Sequence, residues 1–345
     1  MKKLVELQKK IIPEILSTME KRYMILREIS LQEPVGRRTL ANRMGIGERI
    51  IRSEVEFLKE QELISIQTSG MSITEEGTNV LESLREFISE IRGISKMEET
   101  LKERLGIRKV IIVPGDADED EYVVGEIGKV AGKYFLEILQ DNSVVGITGG
   151  TTMDGFAKAL PNSKKYKDLL IVPARGGLGE EVEIQANTIV GMLGKKLNSN
   201  YRLLHVPDNL NKDIVSSMMS QPEIKETMDL ISAIDTLIFG IGRADEMAKR
   251  RKVSDDEMDI IEDSKAVAEA FGHYFNQEGH TVHETSTVGI KPEDFKSVKN
   301  AIGIAGGKRK ADAIMAISKI KEDLVLITDE GAAQYILKVT DSIKK

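Results

Sequence analysis

Four loops of this chain carry the residues best suited to gripping phosphate. Gly149-Gly150-Thr151-Thr152 follows an apolar run, Val144–Thr148, and opens a helical stretch. Glycine lets backbone N–H groups approach an anion, threonine adds hydroxyl donors, and a helix N-terminus favours negative charge. Pro173-Ala174-Arg175-Gly176-Gly177 places an arginine on a post-strand loop expected to be flexible. Gly306-Gly307-Lys308-Arg309-Lys310 again lies between a strand and a helix, and the segment after Gly240-Ile241-Gly242 ends in Lys249-Arg250-Arg251. The guanidinium fork donates two parallel hydrogen bonds to a phosphate. Any one of these glycine turns could serve only to redirect the chain. Together they point to a ligand carrying two phosphates.

Other chemistries lack their residues. Gly307-Lys308 has neither the upstream glycine nor the following Ser/Thr of a nucleotide-hydrolysing P-loop, and no Gly-x-Gly-x-x-Gly occurs. Asp116, Asp118 and Asp120 imitate the start of a calcium loop, but Glu121 stands where glycine is required and Ile127 where the bidentate glutamate belongs. That acidic run reads as a solvated loop. The four histidines (His205, His273, His280, His283) show no metalloprotease spacing, and no Gly-x-Ser-x-Gly elbow is present. Cysteine is absent, which excludes disulfides, a thiolate nucleophile and Cys-rich zinc sites. No metal and no cofactor besides the ligand itself are expected.

A second set of residues suits DNA. Residues 37–44 and Glu48–Gln61 read as two short helices around a Gly45-Ile46-Gly47 turn. Leu40, Ala41 and Met44 face inward from the first helix, and Ile51, Val55 and Leu58 from the second. Glu48, Arg49, Arg52 and Ser53 are left outward, where a recognition helix meets base edges, and Arg37 and Arg38 are placed for phosphates. Residues 63–66 and 71–73, joined at Thr68-Ser69-Gly70, read as a two-stranded wing, after which Thr74 caps a helix running to about Arg92. That last helix suits a linker, a dimer seam, or both. The competing reading is an αα-hairpin for protein contacts with solvated arginines; the ordered succession of hairpin, glycine turn, wing and outward arginines favours DNA.

The elements around these residues divide the chain. At 345 residues it exceeds one ordinary core. Residues 1–70 hold 13 Lys/Arg against 10 Asp/Glu, and the rest 36 against 46, so a mildly basic head sits on an acidic body. We expect a winged helix-turn-helix domain with its linker helix over residues 1–92, entered by a helix from about Glu6 to Ile29 that Pro13 either distorts or divides by starting a new helix. Residues 93–345 should form a larger α/β domain. There short apolar runs alternate with amphipathic helices: 110–113, 144–148, 169–173, 202–206, 236–241, 301–305 and 324–328 are the expected strands of a largely parallel sheet. Such sheets bind ligands at the carboxyl ends of their strands. The start, Met1-Lys2-Lys3-Leu4, meets charged residues at once and no later run approaches membrane-spanning length, which points to the cytoplasm and to no membrane partner.

Several stretches resemble the SorC-type sugar-binding regulators: Pro34-Val35-Gly36-Arg37-Arg38, residues 52–61, Thr148 to Thr152, Val172 to Glu180, Gln185-Ala186-Asn187-Thr188 and Thr328 to Ala333. The likeness spans nearly the whole chain. It implies a repressor of a glycolytic operon, induced by fructose 1,6-bisphosphate or a related phosphosugar. It also implies an effector domain folded like sugar-phosphate isomerases and deaminases, and a homo-oligomer, dimer or tetramer, on operator DNA. Carried over by position, the effector shell is Gly149, Gly150, Thr151, Thr152, Arg175, Gln185, Arg250, Arg251, Glu269 and Lys310. Gln185 and Glu269 rest on the resemblance alone; their implied role is hydrogen bonding to sugar hydroxyls. No catalytic residue is assigned. Two alternatives stand beside the repressor: an active sugar-phosphate isomerase or deaminase with an appended DNA-binding head, for which Asp329-Glu330 are carboxylates at a strand end, and a sensor that acts through protein partners without DNA.

Overall fold

The computed structural model describes residues 2–163, 166–177, 181–206, 212–285 and 288–343. The chain divides into two compact units, Met1–Ser95 and Lys96–Lys345. Among the described residues no helix is long and apolar enough to cross a membrane.

In the first unit Pro13 marks the start of a new helix, the second of the two outcomes expected of it. Lys2–Ile11 ends before Pro13, and Pro13–Gln32 begins on it, because proline at a first helical position forfeits no intrahelical hydrogen bond. The helices Arg37–Met44 and Glu48–Glu60 follow. Gly45 takes the left-handed conformation (φ 62°) between them, and its amide turns back to the carbonyls of Ala41 and Asn42. Ile51, Val55 and Leu58 are buried with Leu40 and Ala41 in a core that also takes Ile25, Ile29, Ile64 and Met71. Strands β1 (Ile64–Gln67) and β2 (Gly70–Ile73) pair antiparallel as the wing. Thr74 then caps the helix Glu75–Arg92: its hydroxyl oxygen accepts from the Gly77 amide at 3.0 Å and its proton goes to the Glu62 carbonyl at 2.7 Å. Thr74→Ala removes both bonds and should cost about 1 kcal/mol, which speeds amide hydrogen exchange along this helix roughly fivefold. Unchanged exchange would show the cap to be dispensable.

In the second unit the strands run β3 (Lys109–Val113), β4 (Val144–Ile147), β5 (Leu170–Pro173), β6 (Asn200–Tyr201), β7 (Thr236–Gly240), β8 (Gly242–Arg243), β9 (Ala268–Ala270), β10 (His273–Phe275), β11 (Thr281–Glu284), β12 (Asn300–Ile304) and β13 (Val325–Asp329). Seven make one sheet in the order β3-β13-β12-β7-β4-β5-β6, and its pairings are all parallel. Parallel strands covered on both faces are apolar almost throughout, which is why the strands read as unbroken Val/Ile/Leu runs. On one face the helices Glu121–Ile138, Thr151–Ala159 and Ala186–Lys196 bury Ile127, Phe135, Met153, Phe156, Ile189 and Leu193 against the sheet. The first two of these helices approach so closely that a Cβ on Gly128 would stand 2.8 Å from the Gly155 backbone. Four short strands form a separate antiparallel sheet, β11-β10-β9-β8, that sequence reading did not anticipate.

The expected strand at Arg202–Val206 is a correction. Only Asn200 and Tyr201 pair with β5, at the sheet's edge. The Arg202 amide still donates to the Ile171 carbonyl of β5 at 3.0 Å, but beyond it the Asn187 side chain engages both backbone groups of Leu204 at 3.0 Å and the Val206 carbonyl accepts from Gly177, so the ladder stops at Arg202 and the later hydrogen bonds go to a side chain and a loop.

Candidate effector site and nucleic-acid interface

Strand order decides where a ligand fits. From β4 the chain moves outward through β5 to β6; from β7 it moves the other way, to β12 and β13. β4 and β7 are therefore adjacent strands whose outgoing connections diverge, and the carboxyl ends at such a switch point leave a crevice. A cavity lies there. Its wall includes Thr148 to Met153 after β4, Arg175 and Gly176 after β5, Gly240 to Gly242 after β7, and Gln185, Arg250, Glu269, Phe271 and Lys310. Nine of the ten residues named for the effector shell line it. Arg251 does not.

Each arrives by its own local route. Gly150 (φ 116°) turns the chain into the helix Thr151–Ala159, whose first amides point out of the helix without intrahelical partners. The Gly150 amide itself is spent on the Ile184 carbonyl at 2.9 Å, and a Cβ on Gly149 would stand 2.6 Å from that same oxygen. The glycines thus let this loop lie against the 184–186 segment, which brings Gln185 to the wall. The Arg175 loop is pinned, contrary to the flexibility expected of it. Gly176 donates to the Val288 carbonyl at 2.8 Å and Ile290 to that of Ala174 at 2.7 Å, bracketing an Arg175–Gly289 bridge.

Charge at the cavity is mostly cationic. Arg175 is 5% exposed, and its Nη1 lies 3.4 Å from Glu269 Oε1. Burial pushes the Glu269 carboxyl upward, but the charges of Arg251 and Arg175 and the Gly272 amide outweigh it and hold it below the usual carboxylate range. Burial holds the Lys310 ammonium below its ordinary value, against the pull of Glu246, Asp118 and Asp329. Arg250 makes a long 3.5 Å contact with the exposed Glu181, an exchangeable partner in water.

The acidic run is a second correction. Asp118 accepts from the Arg309 amide at 2.8 Å and from its Nε at 2.9 Å, Asp116 accepts from the Asp118 amide at 2.9 Å, and Asp120 caps the helix Glu121–Ile138. The loop therefore clamps the basic segment 308–310, and of the three cations there only Lys310 faces the cavity. Asp329, a candidate for acid–base work, is fully buried. Its oxygens accept amides from Ala117 at 2.7 Å, Gly307 at 2.6 Å and Ala332 at 2.9 Å, and it lies outside the cavity lining. It ties three loops together.

In the first unit Arg37, Arg38, Glu48, Arg49, Arg52 and Ser53 are all exposed. Arg38 and Glu48 form a solvent-exposed ion pair at 3.7 Å across the two helices. Sequence reasoning missed Glu54. It is buried on the inner face of the helix Glu48–Glu60 and takes Lys21 and Arg22, each at 2.8 Å, while Arg22 stacks 3.5 Å from the Phe57 ring centre. Burial raises the Glu54 carboxyl and these two cations lower it, with a net shift downward. A carboxylate three positions after Ile51, within the apolar stripe, was the available signal. The pair fixes the rotation of the helix that bears Arg49 and Arg52.

Comparison with known proteins agrees with both halves. Residues 89–338 match a family model described as a sugar-binding domain, and residues 18–88 one described as the CggR N-terminal DNA binding domain. The chain is 44% identical over 339 residues to the central glycolytic genes regulator of Priestia megaterium, covering 98% of this chain and 99% of that one. It is 43% identical over 338 residues to the regulator of the same name from Bacillus subtilis, with the same coverage. A crystal structure assigned to the SorC family, from Enterococcus faecalis, superposes with a TM-score of 0.66 at 38% identity, over 70% of this chain and 99% of that one. With a DNA-reading head and a sugar-binding body both matched, and full-length identity above 40%, the chain belongs to the central glycolytic genes regulators, a family of SorC-type transcription regulators.

Proposed function

We propose that this chain represses glycolytic genes as a homo-oligomer on operator DNA, and that fructose 1,6-bisphosphate, or a closely related phosphosugar, releases it. The observation that carries the reading is the convergence on one cavity of a helix N-terminus, Arg175, Arg250 and Lys310, with Gln185 and Glu269 beside them. Amides and guanidinium groups meet phosphate oxygens; the amide and carboxylate meet ring hydroxyls. The effector must bind one quaternary arrangement better than another, because equal affinity for both would leave operator occupancy unchanged.

The cavity is suited to binding without turnover. Glu269 is the one carboxylate on its described wall, and one of its oxygens is already engaged by two arginines. Asp329 is bound up in amides elsewhere.

Fluorescence anisotropy with a duplex from upstream of the glycolytic genes tests the reading. Fructose 1,6-bisphosphate should weaken operator binding about 5- to 150-fold, the usual span of allosteric coupling. Identical binding with and without the sugar would sink it. Conversion of the sugar phosphate on prolonged incubation would instead favour an enzyme.

A further inference from the structure

Arg251 stands behind the cavity, not on its wall. Its side chain is fully buried; Nη2 donates to Glu269 Oε1 at 2.5 Å and Nη1 to Thr285 Oγ1 at 3.3 Å. The Thr285 hydroxyl in turn donates to the Gly272 carbonyl at 3.1 Å. From the cavity side Arg175 Nη1 reaches the same Oε1 at 3.4 Å, and the Gly272 amide reaches it at 2.8 Å. All three bonds end on Oε1, while Glu269 is part of the cavity wall.

The last torsion of a glutamate is broad and roughly two-fold, so a carboxylate held at neither oxygen would turn freely. Here one oxygen is fixed and the other is left to the ligand. The two arginines differ in what a ligand can do to them. Arg175 lines the cavity and makes the longer contact, so a phosphate can draw it away. The Arg251 side chain is fully buried and absent from the cavity lining, so it is the arginine placed to stay with Glu269.

We propose that Arg251 is a positioning residue: by anchoring Glu269 Oε1 from behind, it aims Oε2 at the ring hydroxyls of a sugar bisphosphate, and thereby sets selectivity for a sugar over a bisphosphate without hydroxyls. This rests on the reading of the cavity as a sugar-bisphosphate site. It assigns Arg251 a place outside the effector shell in which resemblance puts it. The strained hairpin that carries the third donor belongs to the same device. Phe271 and Gly272 both have positive φ, 59° and 86°, and the turn between β9 and β10 directs the Gly272 amide inward.

The test is a ratio. Titration calorimetry on the full chain measures fructose 1,6-bisphosphate against hexane-1,6-diyl bisphosphate, which keeps the two phosphates and lacks the hydroxyls. In Arg251→Met the preference for the sugar should fall roughly tenfold, the value of one hydrogen bond to a charged acceptor, with both ligands sharing any loss that comes through Arg175. Arg251→Lys keeps the charge and should restore part of the ratio. In a Glu269→Gln background Arg251→Met should leave the ratio where Glu269→Gln alone put it. A purely structural role would weaken both ligands by one factor, or act equally in the Glu269→Gln background, and either result overturns the proposal. Should Arg251→Met not fold, an unchanged ratio in Arg251→Lys overturns it as well. Wild-type protein that binds neither bisphosphate would defeat the underlying reading of the cavity, an outcome distinct from a failed ratio.

Discussion

Arg175→Ala should weaken fructose 1,6-bisphosphate by about 2–5 kcal/mol, roughly 30- to 5,000-fold in affinity, because truncating one partner of a desolvated charge pair costs that much. The guanidinium is 5% exposed, so the proposed contact with a phosphate would be made out of water, where screening is weak. Loss of a buried arginine often unfolds a protein by stranding its carboxylate. Here it does not strand one. Glu269 keeps Arg251 at 2.5 Å and the Gly272 amide at 2.8 Å, so the variant should fold and the loss should register on the ligand. Titration calorimetry on the folded variant checks it; unchanged affinity removes Arg175 from the site. The same substitution has a signature in acid. Glu269 is held below its ordinary pKa, so it contributes stability above that ordinary value, and the contribution disappears as pH falls through the depressed one. With one of the two cations gone the depression shrinks, and acid unfolding of the second unit should begin at higher pH than in the wild type.

Sequence alone carries the loops of this site better than its side walls, and the reason is locality. Gly149 to Thr152, Arg175 and Lys310 each follow a strand of the main sheet, and those strands announce themselves as apolar runs flanked by glycine. Where a loop must lie in an α/β sheet then follows from topology. Glu269 has no such marker. It sits on a three-residue strand of a four-stranded antiparallel sheet, too short to show a period, and its partner Arg175 is 94 residues away. Gln185 lies between a three-residue 3-10 turn and a helix, and only the packing of Gly149 against Ile184 brings it to the cavity. Resemblance supplied both. Arg250 and Arg251 were read together from the basic end of one helix, and that adjacency concealed that neighbouring residues on a helix point in different directions: Arg250 to the cavity and Arg251 into the interior. Residues 202–206 and the acidic run 116–120 were misread for a related cause. An apolar run becomes a strand only if a neighbouring strand takes its hydrogen bonds, and Asn187 took those of Leu204 instead. Charges next to one another in sequence look solvated until the fold brings Arg309 to meet them.

The helix pair, glycine turn and wing were legible because their pattern is short-range, and a test of the exposed arginines separates a repressor from a sensor that works through protein partners. Arg49 and Arg52 are exposed on the helix Glu48–Glu60, opposite the buried stripe of Ile51, Val55 and Leu58. Neither packs in the core, and the helix is held by Glu54 with Lys21 and Arg22. Alanine at both positions should therefore leave the fold intact. Each arginine reading a base edge is worth about 1–3 kcal/mol, so the double variant should lose roughly 2–6 kcal/mol of operator affinity and most of its preference over unrelated DNA. Arg37→Ala with Arg38→Ala should behave differently. Phosphate contacts are blind to sequence, so that pair should weaken operator and unrelated duplexes alike and reduce the slope of log affinity against log salt by about 2. Sugar-bisphosphate affinity measured without DNA should stay at the wild-type value in both variants, since the residues proposed to bind the sugar all lie in the second unit. Operator binding that survives Arg49→Ala with Arg52→Ala, unchanged in affinity and in sequence preference, would mean that this helix does not read DNA.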